Sequence, residues 1–202
     1  MFDYENKYLE SGCKLIAGID EAGRGPLAGP VCVAMVIMPL DKESIIEKVN
    51  DSKKLTEKMR EKLFNEIIEK AISYRIEMID EETIDTINIL NATKLGMLTC
   101  INNIDVKPDV VLIDAVKIDS DIKTESIIKG DALSYSIACA SILAKVSRDR
   151  LMIELDSKYP EYNFKKHKGY GTKEHIENLK KFGKCPIHRN SFIGNFIEWN
   201  NG

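Results

Sequence analysis

The sequence predicts an α/β core that is followed by a helical C-terminal part. The chain has 202 residues, 44% of them hydrophobic, and this length is enough for one domain to bury a sizeable core. Short runs rich in β-branched residues predict strands early in the chain, and farther on such runs alternate with segments of helical periodicity, which is typical of α/β folds. No apolar run approaches the roughly 20 residues of a membrane span, so the sequence excludes an integral membrane protein.

The first half of the chain contains three predicted strands and two helical segments. Residues 14–19 and 31–38 are apolar enough to form strands, and the second run is so uniformly apolar that both of its faces should be buried. Residues 56–73 have the periodicity of a helix whose first residue, a threonine, is a suitable N-cap. The pattern then predicts a strand over 74–79 and a helix over 81–104.

The second half alternates strands with helices. Residues 110–113 form an apolar run that ends in Asp114, as expected of a buried strand that delivers a polar side chain at its end. The remaining elements are a strand, a long helix and, after an aperiodic stretch, two short helices, predicted in that order over 125–128, over 133–155, from Lys173 and near Ser191.

The cysteines, the histidines and the N-terminal segment argue against a zinc site, a disulfide framework and a secretory signal. Five cysteines without a Cys-x-x-Cys pair predict buried free thiols in a reducing compartment, and neither a zinc site nor a disulfide framework. His167, His175 and His188 have no second ligand at metal-like spacing, so we expect structural roles for them. The first ten residues are acidic and polar, unlike a secretory signal, and we expect a cytoplasmic protein.

A glycine-rich segment after the first strand resembles a dinucleotide-binding fingerprint only superficially. Gly23, Gly25 and Ala28 have the G-x-G-x-x-A spacing, but the fingerprint must open a helix whose N-terminus holds the pyrophosphate. Here Pro30 and a second strand follow, so the dinucleotide interpretation fails. The glycines instead allow close backbone approach, and Arg24 between them can offer two parallel hydrogen bonds to a phosphate.

Four carboxylates are candidate metal ligands. Asp20 and Glu21 follow the first strand, Asp114 ends a later one, and Asp131 lies just ahead of the long helix. Taken singly, each has an ordinary explanation as a solvated turn residue or a helix cap. Taken together at one edge of an α/β sheet, four oxygen ligands without His or Cys suit Mg²⁺ or Mn²⁺, and a pair of such ions is the usual clamp for attack on a phosphodiester.

The carboxylates belong to a set of motifs that resembles bacterial ribonuclease HII. The set runs in order from about residue 15 to residue 192 and consists of Asp20-Glu21-Ala-Gly-Arg-Gly25, Asp51-Ser-Lys-Lys-Leu-Thr56, the strand ending in Asp114, Lys129-Gly-Asp131 with the helical run 136–149, His167-Lys-Gly-Tyr170-Gly-Thr172 and His188-Arg-Asn-Ser-Phe192. Each motif alone is weak, but the linked set is specific. The related HIII enzymes have a sizeable N-terminal domain, and only 19 residues precede Asp20, so HII is the better match.

The resemblance implies a ribonuclease H-like fold, with a central mixed β-sheet flanked by helices and a helical C-terminal extension. We expect a catalytic core over 1–157 and a basic extension over 158–202 that packs on the same domain. The implied activity is hydrolysis of the RNA strand of RNA–DNA hybrids and incision at single ribonucleotides in duplex DNA. The implied partners are RNA–DNA hybrids and DNA duplexes that contain ribonucleotides. We expect the protein to be a monomer and not to associate with a membrane.

The resemblance also implies the roles of individual residues. Asp20, Glu21, Asp114 and Asp131 would be the catalytic carboxylates and would bind two Mg²⁺ or Mn²⁺ ions. The substrate contacts would come from the Gly23-Arg24-Gly25 loop at the ribose 2′-hydroxyl, from Tyr170 on the sugar at the junction, and from Ser52, Lys53 and Lys54 on backbone phosphate. It assigns no chemistry to His188 and Arg189.

The expected mechanism is metal-assisted hydrolysis, in which one ion lowers the pKa of the attacking water and the second stabilises the leaving 3′-oxygen. The cut would lie 5′ of the ribonucleotide and leave a 5′-phosphate and a 3′-hydroxyl.

Two other functions compete with this one. A non-catalytic nucleic-acid-binding module would gain nothing from four acids that face phosphate, and a small-molecule phosphate-ester hydrolase would not need a basic C-terminal segment.

The net charge of −3 conceals an uneven distribution. Residues 1–157 carry 20 basic and 28 acidic side chains, whereas residues 158–189 carry 9 basic and 3 acidic ones. Bound cations would offset part of the acidic excess, and the basic segment is suited to backbone phosphates. We therefore expect nucleic-acid binding that weakens steeply as the salt concentration rises.

Overall fold

The computed structural model describes residues 1–49 and 55–196 of the chain. Its strands are β1 (Ile16–Ala22), β2 (Val31–Ile37), β3 (Ser73–Ile79), β4 (Val110–Asp114) and β5 (Lys123–Ile127). Across the described residues they form a five-stranded sheet in the order β3-β2-β1-β4-β5. The sheet is mixed, because β2 pairs antiparallel with β1 and β3, whereas β4 runs parallel to β1 and β5.

Helices precede, connect and follow the strands. They are α1 (Asp3–Glu10), α2 (Glu57–Lys70), α3 (Glu81–Ile87), α4 (Ile89–Asn103), α5 (Gly130–Leu133), α6 (Tyr135–Lys158), α7 (Phe164–His167), α8 (Lys173–Phe182) and α9 (Asn190–Ile193), with a 3₁₀ turn at Pro160–Tyr162. None of the helices within residues 1–49 and 55–196 combines the length and the hydropathy needed to cross a membrane.

Helices cover both faces of the sheet, and β2 shows why. Side chains of a strand point alternately to opposite faces. Cys32 and Ala34 pack toward α2 and α6 on one face, whereas Val33 and Met35 pack toward α4 on the other. Every residue of β2 is buried, which confirms the prediction made from its uniformly apolar sequence.

The packing of α6 on β1 depends on a glycine. A Cβ atom at Gly18 would lie 2.0 Å from the carbonyl carbon of Ser136, at the start of α6. Only a residue without a side chain permits so close an approach. The long helix therefore crosses directly over the strand that carries Asp20 and Glu21.

The prediction of a single helix over 81–104 is wrong, because the helix is interrupted at Asn88. This residue has φ +66° and ψ 165°, and its side chain accepts a hydrogen bond from the backbone N–H of Asn91 at 3.0 Å. It therefore ends α3 and caps α4. Hydrophobic periodicity continues through the break, so the pattern alone does not reveal it. The short helix α1 was also absent from the sequence-based prediction.

Two element boundaries differ from the predicted ones, and candidate site residues therefore lie in other elements than expected. The strand β1 extends to Ala22, so Asp20 and Glu21 lie within it and pair with residues of β2, rather than in the turn after it. The interpretation of Asp131 as the N-cap of the long helix is also wrong. Ser134 caps α6 by accepting a hydrogen bond from the backbone N–H of Ile137, and Asp131 lies within α5.

The segment after α6 returns to the loop that joins β1 and β2. The backbone N–H of Leu27 donates to the carbonyl of Gly169 at 2.8 Å, and the N–H of Arg189 donates to the carbonyl of Leu27 at 2.9 Å. The N–H of Gly29 donates to the carbonyl of Ile187 at 2.9 Å. These bonds hold the C-terminal segment against the loop that follows the acidic end of β1.

Candidate active site

Neighbouring parallel strands bring three of the predicted carboxylates to one edge of the sheet. Ile19 of β1 is paired in register with Ile113 of β4, so the next residues along the two strands, Asp20 and Asp114, are neighbours. Glu21 follows Asp20 at the end of β1. The sequence predicted this convergence from strand ends, and the sheet pairing supplies it.

The environment of Asp20 is electrostatically unfavourable for a carboxylate. Asp20 is buried, and burial raises its pKa well above the ordinary value, with further contributions from the negative charges of Glu21 and Asp114. A hydrogen bond from Ser141 and one from the backbone N–H of Glu21, at 2.7 Å, act in the opposite direction. Like charges so arranged favour a bound cation.

Asp114 is tied to the segment that contains Asp131. Its Oδ1 accepts a hydrogen bond from the backbone N–H of Gly130 at 2.6 Å. A Cβ atom at Gly130 would lie 2.5 Å from Ile137 Cδ1 and 3.3 Å from Asp114 Oδ1, so glycine avoids crowding at this contact. Asp131 is buried in α5, next to this contact. It is not one of the described residues that line the cavity with the other three carboxylates.

A cavity of about 500 Å³ opens at this edge of the sheet. Its lining is Asp20, Glu21, Ala22, Gly23, Arg24, Gly25, Arg60, Asp114, Ser141, Lys145 and Tyr170. A depression of about 490 Å³ at residues 71–76 and 105–106 has a single carboxylate, Asp105, and lacks a comparable cluster.

The sequence-based prediction missed Arg60, Ser141 and Lys145. Ser141 and Lys145 are four residues apart in α6 and therefore share one helix face, which is a signal that could have been used.

The glycine-rich loop and Tyr170 lie on the same cavity. Arg24 Nη1 is 3.4 Å from Glu21 Oε1, and the side chain of Arg24 is 44% exposed. Gly23 has φ +98°, and a Cβ atom there would lie 2.0 Å from Arg148 Nε. A Cβ atom at Gly25 would meet only the ring of Tyr170, at 3.8 Å. Tyr170 is 43% exposed, so its ring is available at the mouth of the cavity.

The remaining predicted substrate residues are Ser52, Lys53 and Lys54, which lie outside the described residues. Their contribution to the site stays a prediction.

Two of the three buried histidines, His175 and His188, are linked in a chain of hydrogen bonds in the C-terminal segment. His188 Nδ1 accepts from the backbone N–H of Cys185 at 3.0 Å, so its Nε2–H donates to His175 Nε2 at 3.1 Å. His175 Nδ1–H then donates to the carbonyl of Tyr170 at 2.9 Å. Burial lowers the pKa of both residues to about 4, and it also lowers the pKa of His167. The burial and hydrogen bonds of these rings agree with the structural role predicted for the histidines.

The donor set at the cavity fits a hard divalent cation. The cavity holds the carboxylates of Asp20, Glu21 and Asp114, and a positive charge would relieve their mutual repulsion at Asp20. Within residues 1–49 and 55–196, no three His, Cys, Asp or Glu side chains are grouped closely enough to hold a metal ion by themselves. Mg²⁺ in phosphate chemistry is commonly held by one or two carboxylates together with substrate phosphates, so a closed protein cage is not required.

Comparisons with known proteins agree with this geometry. The family model described as ribonuclease HII matches residues 17–195. The ribonuclease HII of Caldicellulosiruptor bescii is 59% identical over 97% of this chain and 95% of its own length. That of Acetivibrio thermocellus is 60% identical over 96% of this chain and 75% of its own length. The structure of the PCNA:RNase HII complex from Archaeoglobus fulgidus matches with a TM-score of 0.76 and 26% identity, covering 91% of this chain and 97% of that chain.

The mixed sheet with helices on both faces is thus the ribonuclease H-like fold that the motifs predict. The similarity extends over nearly the whole chain, including the edge where the carboxylates converge. We conclude that the chain belongs to the ribonuclease HII family, whose members are nucleases that cleave the RNA strand of RNA–DNA hybrids.

Proposed function

We propose that this enzyme, besides cleaving hybrids, incises duplex DNA on the 5′ side of a single embedded ribonucleotide and leaves a 5′-phosphate and a 3′-hydroxyl. One observation carries the proposal. The cavity combines the carboxylates of Asp20, Glu21 and Asp114 with a glycine-rich loop and an exposed tyrosine. Acids that would act on the phosphodiester therefore share a cleft with groups able to contact the adjacent sugar.

Two Mg²⁺ or Mn²⁺ ions would be held by Asp20, Glu21, Asp114 and Asp131. Divalent cations supply a water of lowered pKa and offset the negative charge that develops on the leaving oxygen. The protein orients its carboxylates in advance. Ser141 and the backbone N–H of Glu21 bond to Asp20, and the N–H of Gly130 bonds to Asp114. Preorganised ligands of this kind reduce the rearrangement needed when substrate binds.

The sugar beside the cut would be recognised by the loop of Gly23, Arg24 and Gly25 and by Tyr170. Gly25 lies close to the ring of Tyr170 with no side chain in between, so the loop backbone and the ring can both contact one sugar at the mouth of the cavity. A 2′-hydroxyl both donates and accepts hydrogen bonds, so backbone groups can distinguish it from the hydrogen of deoxyribose.

The phosphates on either side would meet cationic side chains. Lys145 and Arg60 line the cavity, and Lys145 also pairs with Asp149 at 2.8 Å. The segment of Ser52, Lys53 and Lys54 would add further contacts to the backbone. We propose that one copy of the chain suffices, because all of these groups come from a single chain.

The direct test uses a DNA duplex with one ribonucleotide, incubated with and without Mg²⁺, and maps the cut to the nucleotide. The expected result is metal-dependent incision 5′ of the ribonucleotide, with the ends stated above. The same duplex with deoxyribose at that position should bind and resist cleavage. Incision 3′ of the ribonucleotide, no incision, or equal cleavage of plain DNA would contradict the proposal.

A further inference from the structure

Arg189 is a fully buried arginine whose guanidinium group bonds to backbone carbonyl groups. It is 0% exposed, and its Nε donates to the carbonyl of Gly29 at 2.9 Å. Its Nη1 donates to the carbonyl of Arg24 at 3.0 Å, and its Nη2 donates to the carbonyl of Gly23 at 2.6 Å. The last two acceptors belong to the loop that lines the cavity.

These two hydrogen bonds determine where the loop's N–H groups point. In a trans peptide the C=O and the N–H of the same unit point in opposite directions, and the described chain has no cis peptide. The carbonyl of Gly23 shares its unit with the N–H of Arg24, and the carbonyl of Arg24 shares its unit with the N–H of Gly25. Because Arg189 holds both carbonyls, both N–H groups point away from it.

The side away from Arg189 is the cavity. Gly23, Arg24 and Gly25 line the cavity, whereas Arg189 is buried behind them. We infer that Arg189 is a positioning residue for substrate recognition, which aims the backbone N–H groups of Arg24 and Gly25 at the oxygen of the ribose 2′-hydroxyl. The inference rests on the proposed function, because it takes the loop to be the part of the site that meets this sugar.

Only an arginine has the geometry for this task. Its planar fork reaches three carbonyl groups at fixed angles, whereas a lysine ammonium is a point charge on a flexible stem. A second buried arginine, Arg148, braces the next part of the loop by donating to the carbonyls of Ala28 at 3.0 Å and Pro30 at 2.8 Å. Burial and the charge of Arg148 lower the pKa of Arg189 to about 9, so Arg189 stays charged at neutral pH and favours an electron-rich oxygen in front of the N–H groups.

The test compares Arg189→Lys with a control that loosens the same C-terminal segment elsewhere. The carboxylate of Asp85 accepts hydrogen bonds from the backbone N–H groups of Asn190 at 2.7 Å and Ser191 at 2.9 Å, and from Ser191 Oγ. The variant Asp85→Ala removes these bonds and leaves the guanidinium of Arg189 in place. Each protein is measured with duplexes that carry either a ribonucleotide or a 2′-deoxynucleotide at the same position, and the latter has no 2′ oxygen to accept a hydrogen bond.

We expect Arg189→Lys to lower kcat on the ribonucleotide duplex about 100-fold, with KM changed less than about threefold. Its preference for the ribonucleotide over the 2′-deoxynucleotide should fall, because misaimed N–H groups no longer bind the 2′ oxygen. The variant Asp85→Ala should keep both kcat and the preference. If Arg189→Lys does not fold, as judged by circular dichroism, Arg189→Gln keeps a planar end with two donors and is measured in the same way.

An unchanged preference in the Arg189 variant, or an equal loss in Asp85→Ala, would overturn the inference. A wild-type enzyme that does not distinguish the two nucleotides would instead contradict 2′-hydroxyl recognition, which belongs to the proposed function. The two failures are therefore distinguishable within one set of measurements.

Discussion

Asp20 is 5% exposed and has the carboxylates of Glu21 and Asp114 as neighbours. Charged groups are rarely buried beside like charges unless function requires them, since burial and repulsion both disfavour the ionised form. A bound cation would relieve this unfavourable electrostatic environment at Asp20. This view makes opposite predictions for stability and for activity.

The variant Asp20→Asn should lose cleavage and gain stability. An amide keeps the size of the side chain but removes the charge, so kcat should fall at least about 1,000-fold while the substrate duplex still binds. Without divalent metal, the variant should melt at a higher temperature than the wild type, because repulsion at the site is relieved. Asp114→Asn should likewise abolish cleavage.

A matched control for these variants is Asp109→Asn at the other end of β4. Asp109 accepts hydrogen bonds from the backbone N–H groups of Lys14 and Leu15 at 2.7 and 2.9 Å, so its loss should lower stability and leave kcat unchanged. Near-normal turnover of Asp20→Asn with Mg²⁺ would show that Asp20 is not part of the catalytic cluster.

The two glycines of the loop should respond differently to alanine. A methyl group at Gly25 meets only Tyr170 at 3.8 Å, so Gly25→Ala should fold normally and lose activity because the methyl group enters the space of the sugar. Gly23→Ala should lower the free energy of unfolding by about 2 kcal/mol or more, because φ is +98° and the Cβ atom overlaps Arg148. Urea unfolding and single-turnover cleavage separate the two effects. Equal stability loss in both variants would refute this account.

At the scale of elements, the turn between α3 and α4 illustrates a break that periodicity does not detect. Asn88 has φ +66° and ψ 165°, a conformation that is favourable only for glycine. An asparagine is retained at this position, and its side chain caps α4. The capping bond and the backbone strain therefore oppose each other at one residue.

Substitution at Asn88 should separate these two contributions. Asn88→Ala loses the cap and keeps the strain, so the free energy of unfolding should fall by about 1–2 kcal/mol. Asn88→Gly loses the same bond but relieves the strain, so its stability should stay within about 0.5 kcal/mol of the wild type. Chemical denaturation of both variants is the measurement. If glycine destabilises as much as alanine, the strained backbone at Asn88 has no energetic consequence.

At the scale of the whole molecule, the buried histidines link the C-terminal segment to acid stability. Their pKa values are lowered below the ordinary 6.5, to about 4 for His175 and His188, so the folded state binds fewer protons than the unfolded state between these values. The stability they allow is fully present above pH 6.5 and is lost as the pH falls toward 4. Asp20, whose pKa is raised, acts in the opposite direction.

We expect the free energy of unfolding to fall between pH 6.5 and pH 4 with a slope of about 1.4 kcal/mol per pH unit for each buried histidine. The variant His175→Gln should be less stable than the wild type at pH 7 and should show a slope smaller by one proton. Urea unfolding at half-unit intervals of pH measures both slopes. Parallel curves for the two proteins would show that His175 does not titrate on unfolding.

Much of the fold follows from local pattern. The apolar run of β2, the N-cap at Thr56 and the strand that ends in Asp114 are each visible in a few adjacent residues, and the structure contains all three. The path of the chain at Asn88 and the place of Asp131 in α5 did not follow, because an asparagine or an aspartate beside a helix is compatible with several cap positions.

The acidic residues and the family are predictable from the amino-acid sequence, because the carboxylates follow recognisable strands and the linked motifs occur in a characteristic order. That Ser141 bonds to Asp20, and that Arg189 bonds to the carbonyls of Gly23 and Arg24, is visible only in the tertiary structure. An arginine that bonds to carbonyl groups 165 and 166 residues away is, in the sequence, indistinguishable from one on the surface. Its role depends on backbone groups that every residue has, and only folding selects which of them it meets.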